Sequence, residues 1–507
     1  MCSAFQCNGT MKRREFVSAA LVGLPPKTTR VVQGGFVDRS HELGHRLRDG
    51  ARFSAPKRTT RVRVVIVGGG IAGLCAAWRL YKRGFEDFVV LEMEPRAGGN
   101  SRWGENEVSA FPWAAHYVPL PGKEMTLARE LMEDIGVLRN GLWDERYLCH
   151  SPQERLYLHG RWQEGLEPEV GVSRRDRDEF RRFYERMDQM AASGEFRIPV
   201  ETGRIQREDL DRVTMAEWLR SNGFLSPYLH WLADYSCRDD YGSSVGATSA
   251  WAGIHYFASR REQGEKGPLT WPEGNGWIVR RLLDRVGERL RTGIFVHQVE
   301  QDAQGVRARA GEEEFRAEWL IFAAPTYLGS YLMKDTPRFE GQYSPWLTAN
   351  LTLERWPEEK GVPSCWDNII YKSPALGYVV ATHQSLRTHV PKTVWTYYWA
   401  LAEHEPAAGR RLLLERDWNW WTEAILRDLE KAHPDIRQCV SRVDLMRFGH
   451  AMVRPSPGFL FREQRRQWLK PARRVVFANS DLSGISIFEE AQWRGVRAAE
   501  QVLRWIG

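Results

Sequence analysis

The clearest ordering of apolar and polar positions begins near residue 60. Arg61–Val67 carries a run of β-branched residues, which is typical of a strand buried in a parallel sheet. Leu74–Arg83 follows with the apolar spacing of a helix, and its alanines are small enough to pack closely on a sheet. A second strand is predicted at Asp87–Leu91. This strand, helix, strand order predicts a βαβ unit.

Other parts of the chain show two further kinds of pattern. Residues 173–193 and 214–224 have helical spacing, and their charge runs are most simply solvated helix faces. Residues 346–356 and 392–401 alternate β-branched and aromatic positions, which predicts strands of a sheet below a pocket. Because 507 residues exceed what one hydrophobic core usually supports, we expect two domains or more.

A glycine-rich turn connects the first predicted strand to its helix. Gly68, Gly70 and Gly73 form G-x-G-x-x-G, in which the glycines allow a tight turn, close approach of a pyrophosphate and close helix–strand packing. Unpaired N–H groups at the helix start, including Ile71 and Ala72, are expected to face the phosphates. Glu92 ends the second strand, where a carboxylate accepts hydrogen bonds from ribose hydroxyls. The segment therefore predicts a dinucleotide site.

The residues after Glu92 distinguish between dinucleotides. Glu92, Arg96, Gly98 and Gly99 form E-x-x-x-R-x-G-G, which resembles the flavin amine oxidase and phytoene desaturase superfamily. The resemblance implies FAD, with NAD as the alternative. It also places Arg96 and the two glycines along the pyrophosphate and ribityl chain, continued by the cofactor-binding candidates Asn100 and Ser101. Many members have arginine where this chain has Asn100.

Two later segments resemble the same superfamily. Residues 293–327 match its strand and hairpin, which implies that Val296 meets the adenine. Residues 473–503 match its last strand and helix, which implies that Asp481 lies near the ribityl chain. The helix start near Ile487 would then point at the flavin ring, where its dipole stabilises negative charge. Residues 440–507 contain no cysteine, so we expect FAD to be held noncovalently.

This order of segments implies an α/β fold, with a discontinuous Rossmann-like FAD-binding domain and an inserted α+β substrate domain. The FAD-binding domain is assigned to residues 60–140, 265–335 and 440–507. The substrate domain is assigned to residues 141–264 and 336–439. Residues 1–59 are assigned to a signal and linker.

Candidate catalytic groups are expected close to the flavin, because hydride transfer itself belongs to the cofactor. His116 lies in a segment that runs near the flavin in the superfamily, and it is a candidate proton acceptor. Trp277 is the second candidate, in a segment where Glu273 and Asn275 are further possible cavity residues. A structural role is the alternative for each of these residues. The lysine that many members place near the flavin has no clear counterpart in residues 346–356.

Two adjacent carboxylates, Asp239 and Asp240, precede a predicted pocket helix that contains Trp251, His255 and Tyr256. The simplest interpretation is a surface loop with a helix cap. The alternative is that these carboxylates receive a cationic amine.

Metal and nucleic-acid binding are not predicted. The cysteines are widely spaced, and His41 and His45 have no third ligand nearby, so no metal site is expected. Residues 1–60 hold eleven Lys or Arg against four Asp or Glu, which accounts for the whole net charge of +7. Because the remaining chain is neutral and has no basic patch, nucleic acid is not predicted as a partner.

The basic N-terminal segment resembles a twin-arginine export signal. Arg13 and Arg14 precede a short apolar stretch, Phe16–Leu24. This resemblance predicts the export machinery as a partner and a periplasmic or exported location. If the leader is not cleaved, the protein would stay anchored at the membrane.

These observations together predict an FAD-dependent oxidoreductase of amine oxidase type. It would remove hydride from a C–N bond of a small amine and pass electrons to oxygen or another acceptor. Two alternatives remain open at this stage: a desaturase or isomerase acting on an apolar substrate, and an FAD-binding envelope protein without turnover.

Overall fold

A computed structural model describes residues 31–38, 40–204, 206–260, 267–334, 336–387 and 389–507. The predicted export signal lies outside the described residues.

The strands, in chain order, are β1 Gln33–Phe36, β2 Arg58–Arg61, β3 Val64–Val67, β4 Phe88–Leu91, β5 Trp103–Glu105, β6 Ala110–Pro112, β7 Tyr117–Val118, β8 Leu138–Arg139, β9 Leu142–Trp143, β10 Glu154–Leu158, β11 Arg161–Glu164, β12 Leu269–Thr270, β13 Leu290–Arg291, β14 Gln298–Gln301, β15 Val306–Ala310, β16 Glu313–Ala317, β17 Trp319–Phe322, β18 Tyr343–Leu353, β19 Asp367–Ile370, β20 Gly377–Val380, β21 Thr393–Ala400, β22 Val440–Val453 and β23 Val475–Phe477.

The helices are α1 His41–Arg48, α2 Ile71–Lys82, α3 Thr126–Asp134, α4 Arg174–Ala192, α5 Glu208–Asp211, α6 Met215–Ser221, α7 Pro227–Tyr241, α8 Ala250–Ala258, α9 Gly276–Val286, α10 Gly329–Leu332, α11 Pro406–Glu415, α12 Trp418–Leu429, α13 Ile436–Cys439, α14 Glu463–Trp468 and α15 Phe488–Ile506.

A parallel five-stranded sheet forms the base of the first structural unit. Its order is β13-β4-β3-β17-β23, so the βαβ unit predicted near residue 60 lies at its centre. Every residue of β3 is buried, as its β-branched run predicts. Helix α2 packs against α9 and α15, and together they cover one face of the sheet. The second sheet of this unit has the order β14-β15-β16-β2.

An eight-stranded sheet forms the base of the second unit, with the order β1-β22-β18-β21-β20-β19-β10-β11. The two aromatic, β-branched segments predicted as strands are its buried central strands β18 and β21. The predicted surface helices of this unit are α4 and α6, and both begin with a reciprocal Ser or Thr capping box. The mixed α/β architecture with two units confirms the predicted fold class.

One boundary differs from the sequence assignment. Strand β22 covers residues 440–453, which were assigned to the third FAD segment, but it pairs along β18 in the eight-stranded sheet. The alternation of apolar residues in this strand does not distinguish one sheet from the other. The third FAD segment therefore begins after this strand.

The described residues before position 60, which are 31–38 and 40–59, are built into the fold. Strand β1 pairs with β22, and β2 pairs with β16, so the chain contacts both units before it enters the nucleotide-binding strand. Asp38 accepts hydrogen bonds from the backbone and side chain of Arg447, at 3.0 and 3.1 Å. The described part of the predicted linker is thus ordered structure, held by backbone pairing that sequence periodicity does not reveal.

Two further observations concern the chain as a whole. Among the described residues, no helix combines the length and apolar character needed to cross a membrane. The five cysteines of the described part are buried and unpaired: Cys75, Cys149, Cys237, Cys365 and Cys439.

Candidate active site

A cavity lies at the carboxyl ends of the parallel strands. Most of the predicted cofactor residues line it: Gly68, Gly70, Ile71, Ala72, Glu92, Gly98, Gly99, Asn100, Ser101, Val296, Asp481 and Ile487. Segments that are far apart in the chain therefore converge on one cavity, as the resemblance implies.

The glycine-rich turn has the geometry that its spacing predicts. Gly68 has a φ of 108°, which favours glycine, and a Cβ at Gly73 would lie 1.8 Å from the Gly68 carbonyl oxygen. Helix α2 begins after Gly70 without a side-chain cap, so its first N–H groups remain available to the cavity. An uncapped helix start beside a cavity fits the pyrophosphate of a dinucleotide.

Glu92 organises the adenosine end of this cavity. One carboxylate oxygen accepts a hydrogen bond from Gly69 N at 2.7 Å, and the other accepts one from Glu94 N at 2.8 Å. Burial raises the pKa of Glu92, while the two backbone donors act in the opposite direction. Because each carboxylate oxygen has a second lone pair, Glu92 can hold the loop and still accept from a ribose hydroxyl.

Asp481 occupies the other end of the cavity. Its Oδ2 accepts hydrogen bonds from Thr326 N at 2.9 Å and from the Tyr343 hydroxyl at 2.6 Å. Burial raises its pKa above the usual aspartate value. The residues present thus fit FAD at both ends: a carboxylate and an uncapped helix for the adenosine and phosphates, and a fixed carboxylate for the ribityl chain.

Two predicted cofactor residues do not line the cavity. The Arg96 side chain is exposed and lies outside it, whereas Arg102 is among the lining residues and donates to the Gly99 carbonyl at 3.1 Å. This corrects the expectation for Arg96, because the chain turns after Glu94 and directs the later arginine inward. Gly73 acts indirectly, through its close contact with Gly68.

A second cavity adjoins the first. The two share walls at the start of α15 and in the segment after the double glycine, including Asn100, Ala115, Ser486 and Ile487. The second cavity is therefore in position to hold a substrate against a flavin ring. Asn275, which the sequence predicts as a cavity residue, lines the second cavity and donates to the Tyr117 carbonyl oxygen at 3.1 Å.

His116 lies in the wall of the second cavity, as predicted. Its ring stacks on Tyr398 with 4.6 Å between centroids, and Nδ1 lies 3.1 Å from the Ala114 carbonyl oxygen. Because Nδ1 contacts an acceptor, this nitrogen carries the proton and Nε2 is the remaining acceptor. Burial lowers the pKa of His116 to about 4, so the ring is neutral at physiological pH.

Trp277, the second predicted catalytic residue, lies outside both cavities. Its ring stacks on Trp271 at 4.9 Å and contacts Tyr147 in the core of the FAD unit. This corrects the catalytic expectation, since the face of α9 that meets the core is determined by tertiary packing. Glu273 also serves the structure, because it pairs with Arg280 at 3.1 Å.

The Asp239–Asp240 pair is not on a surface loop, which was the simpler interpretation of the sequence. Both residues lie near the end of α7, which begins at the Ser226 cap and ends at Gly242 in the left-handed region with φ 57°. They line the second cavity. Asp240 pairs with Arg260 at 2.6 Å.

The neighbouring predicted helix residues have mainly structural roles. Trp251 donates to Glu195 at 2.8 Å, and the His255 ring bonds to the Arg197 carbonyl at 2.9 Å. Of these three residues, Tyr256 alone lines a cavity that adjoins the far end of the second cavity.

Several cavity residues were not found from the sequence. Asp367, Tyr398 and Glu489 line the second cavity, and Glu154 lines its continuation. They come from four separate elements, and no local motif marks them. Glu154 and Asp367 come together through the pairing of β10 with β19.

Comparison with known proteins identifies the class. The profile of the flavin containing amine oxidoreductase family matches residues 71–503, and the chain belongs to this family. Membership confirms the predicted resemblance, FAD as the cofactor and the class of FAD-dependent, amine oxidase-like oxidoreductase. Noncovalent attachment stays a prediction.

Individual relatives are distant. The chain is 24% identical over 291 residues to human amine oxidase [flavin-containing] B, covering 54% of this chain and 52% of that protein. It is 27% identical over 168 residues to a Baeyer–Villiger monooxygenase from Penicillium patulum, covering 33% of this chain and 26% of that protein. The chain thus spans about half of the length of the first of these curated relatives and about a quarter of the second.

The fold is shared with solved oxidases. The structure of a wild-type putrescine oxidase bound to putrescine superposes with a TM-score of 0.67 at 17% identity, covering 88% of this chain and 100% of that one. At this identity the likeness concerns the fold.

Proposed function

We propose that this protein catalyses the FAD-dependent oxidation of a small amine at a C–N bond. The amine would lose a hydride from the carbon next to nitrogen and a proton from the nitrogen, and the resulting imine would be released or hydrolysed by water. Bound FAD supplies the two-electron acceptor, and oxygen or another acceptor reoxidises it. The side chains of the second cavity bind and orient the amine and exclude water.

The observation that carries this proposal is the composition of the cavity that meets the FAD site. Asp239, Asp367 and Glu489 place carboxyl groups along walls whose other side chains are mainly aromatic and aliphatic. Carboxylates and aromatic faces both attract ammonium groups. No lysine lies among the described lining residues, and Arg260 is held by Asp240. An apolar polyene or acyl chain would leave these carboxylates without a partner, at a cost in binding.

The test is reduction of the flavin by substrate without oxygen. The purified holoenzyme is mixed anaerobically with a panel of primary and secondary amines, amino acids, polyenes and fatty acids, and flavin absorbance is followed. Bleaching by an amine is the expected result. Reduction by a polyene or isomerisation of a fatty acid, with all amines inert, would favour the alternative reaction classes. A flavin that no compound reduces would leave only an FAD-binding role.

We propose also that the chain is exported by the twin-arginine route. Arg13 and Arg14 stand before a short apolar stretch, and a cofactor held by several segments requires a protein that folds before transport. The test is fractionation of cells producing the wild type and the double variant Arg13→Lys, Arg14→Lys. Export is expected for the wild type alone. Equal distribution of both proteins would contradict this proposal, and membrane-bound wild type would indicate an uncleaved leader.

A further inference from the structure

The substrate cavity continues beyond His116, away from the FAD site. A third cavity shares His116, Tyr117, Asp239 and Asp367 with the second one and adds Glu154 at its far side. The three carboxylates come from α7, β19 and β10. Among the residues that the structure describes, none of the three forms an ion pair. We call this group of Asp239, Asp367 and Glu154 the distal carboxylate group.

Two members of the distal carboxylate group face each other across neighbouring strands. Glu154 and Asp367 are Cα partners in the parallel pairing of β10 with β19. Like charges directly opposite in a sheet are destabilising. Asp367 accepts one hydrogen bond, from the Asn368 backbone at 2.9 Å, and this bond is local. Repulsion between the two carboxylates is relieved when one of them is protonated or when a cation lies near them, and burial raises the pKa of both.

An unpaired polar group points to a ligand at the same place. Tyr398 lines the cavity with a side chain that is 5% exposed, and its hydroxyl has no hydrogen-bond partner within the described structure. The charges of Asp367 and Asp239 act on this hydroxyl and, after burial, raise its pKa further. A buried hydroxyl without a partner is unfavourable unless a ligand or water satisfies it.

A second unpaired atom lies in the same wall. Glu489 is 2% exposed, and its Oε1 has no hydrogen-bond partner among the described residues. The five carboxylates of the joined cavities are faced by the guanidinium of Arg260, whose side chain is committed to Asp240 at 2.6 Å. Carboxyl groups therefore outnumber cations along the whole cavity, and burial raises the pKa of Asp239, Asp367 and Glu489, so a bound cation would favour their charged forms.

We propose that the distal carboxylate group binds a second cationic nitrogen of the substrate, so that the preferred substrates are alkyl diamines or polyamines. One nitrogen lies at the carbon to be oxidised beside the FAD site, and the other ion-pairs with Asp239, Asp367 and Glu154. This inference rests on the proposed amine oxidation. Within the described residues no three His, Cys, Asp or Glu side chains are grouped as metal ligands, and the extended spacing suits a flexible organic cation.

The test compares 1,4-diaminobutane with two compounds of similar length, 1-aminobutane and 4-amino-1-butanol. For the holoenzyme at pH 8, kcat/KM for the diamine is expected to exceed that for either monoamine about tenfold to hundredfold, because a hydrogen-bonded charged contact is gained. Glu154→Gln and Asp239→Asn should each lower this ratio about tenfold. Glu164→Gln, on the exposed edge of the adjoining strand β11, is the matched control and should leave the ratio unchanged.

Binding is measured separately by calorimetry, so that two failures are distinguishable. Tighter binding of the diamine than of 1-aminobutane, lost in Glu154→Gln, would support the distal subsite whether or not an amine reduces the flavin. Failure of every amine to reduce the flavin would overturn the proposed reaction and leave the distal subsite standing. Oxidation of monoamines and diamines with equal kcat/KM and equal affinity would overturn the distal subsite and leave the proposed reaction standing. The wild-type comparison needs no variant to fold.

Discussion

The Tyr343 hydroxyl donates to Asp481 Oδ2 at 2.6 Å and thereby joins the two units of the molecule. Tyr343 begins the buried strand β18 of the eight-stranded sheet, whereas Asp481 belongs to the last FAD segment. The same carboxylate oxygen accepts from Thr326 N at 2.9 Å, after the central parallel strand β17. The substrate-side sheet thus fixes the carboxylate that faces the ribityl end of the FAD cavity.

Removing that hydroxyl should weaken FAD binding. Tyr343→Phe keeps the ring packing but leaves Asp481 with Thr326 as its donor residue, and burial of a less satisfied carboxylate costs about 1–2 kcal/mol. We expect the Kd for FAD to rise roughly fivefold to twentyfold, measured by titration of the apoprotein with FAD. Tyr331→Phe is the control, since the Tyr331 side chain is 47% exposed. An unchanged Kd in Tyr343→Phe would show that Asp481 holds its position without Tyr343.

Glu92 offers a second test of the cofactor site. Glu92→Gln preserves size but replaces one accepting oxygen by an NH₂ group, which then opposes either Gly69 N or Glu94 N. Two donors facing each other, together with the lost ribose contact, should raise the Kd for FAD at least tenfold. Fluorescence titration measures this change, with the exposed Glu107→Gln as the control. Equal Kd values for the two variants would refute the role of Glu92.

Close packing of the last helix on the nucleotide-binding helix predicts a stability effect. A Cβ at Gly495 would lie 2.1 Å from the Ala72 backbone oxygen, so Gly495→Ala must push α15 away from α2. Overpacking of this kind costs about 1–3 kcal/mol, visible in urea unfolding. Gly44→Ala is the matched control, because it also lies in a helix and no atom lies within 4 Å of its added Cβ. Equal unfolding midpoints for the two variants would contradict the predicted clash.

The sequence predicts the cofactor site well because its contacts are local. Gly68, Gly70 and Glu92 lie within one βαβ unit, where strand ends and a helix start fix their positions. Arg96 and Trp277 were misplaced because the direction of a side chain depends on packing partners from elsewhere in the chain.

The distal end of the cavity illustrates the same limit. Glu154 and Asp367 meet only through the register of two strands that are far apart in the chain, and neither residue lies in a motif. Asp239 and Asp240 are conspicuous in the sequence as adjacent carboxylates, but burial of α7 decides between a surface loop and a cavity wall, and the sequence around them contains no signal for that burial.

His116 should not control the pH dependence of activity near neutrality. Because burial lowers its pKa to about 4, the ring is already neutral between pH 6 and 9. We expect His116→Phe, which preserves a ring against Tyr398, to lower kcat/KM without removing an ionisation from its pH profile in this range. The profile of kcat/KM from pH 5.5 to 9 provides the measurement. Loss of an ionisation between pH 6 and 7 in the variant would identify His116 as a proton acceptor instead.

The distal carboxylate group predicts how stability depends on pH. Burial, then the neighbouring Asp240, raise the pKa of Asp239 to about 7, well above the 3.8 of an ordinary aspartate. Between these two values the folded protein binds a proton that the unfolded chain has released, so Asp239 removes stability as pH rises from about 4 to 7. Asp239→Asn resembles the protonated residue at every pH. Its Tm should therefore match the wild type near pH 4, exceed it increasingly up to pH 7 and keep that difference above pH 7.

Ligand-free thermal unfolding at each pH measures this difference in Tm, and 1,4-diaminobutane at pH 8 should reduce the difference by stabilising the wild type more than the variant. A difference in Tm that stays constant from pH 4 to 8 would mean that Asp239 has an ordinary pKa and that no buried charge awaits a cation there.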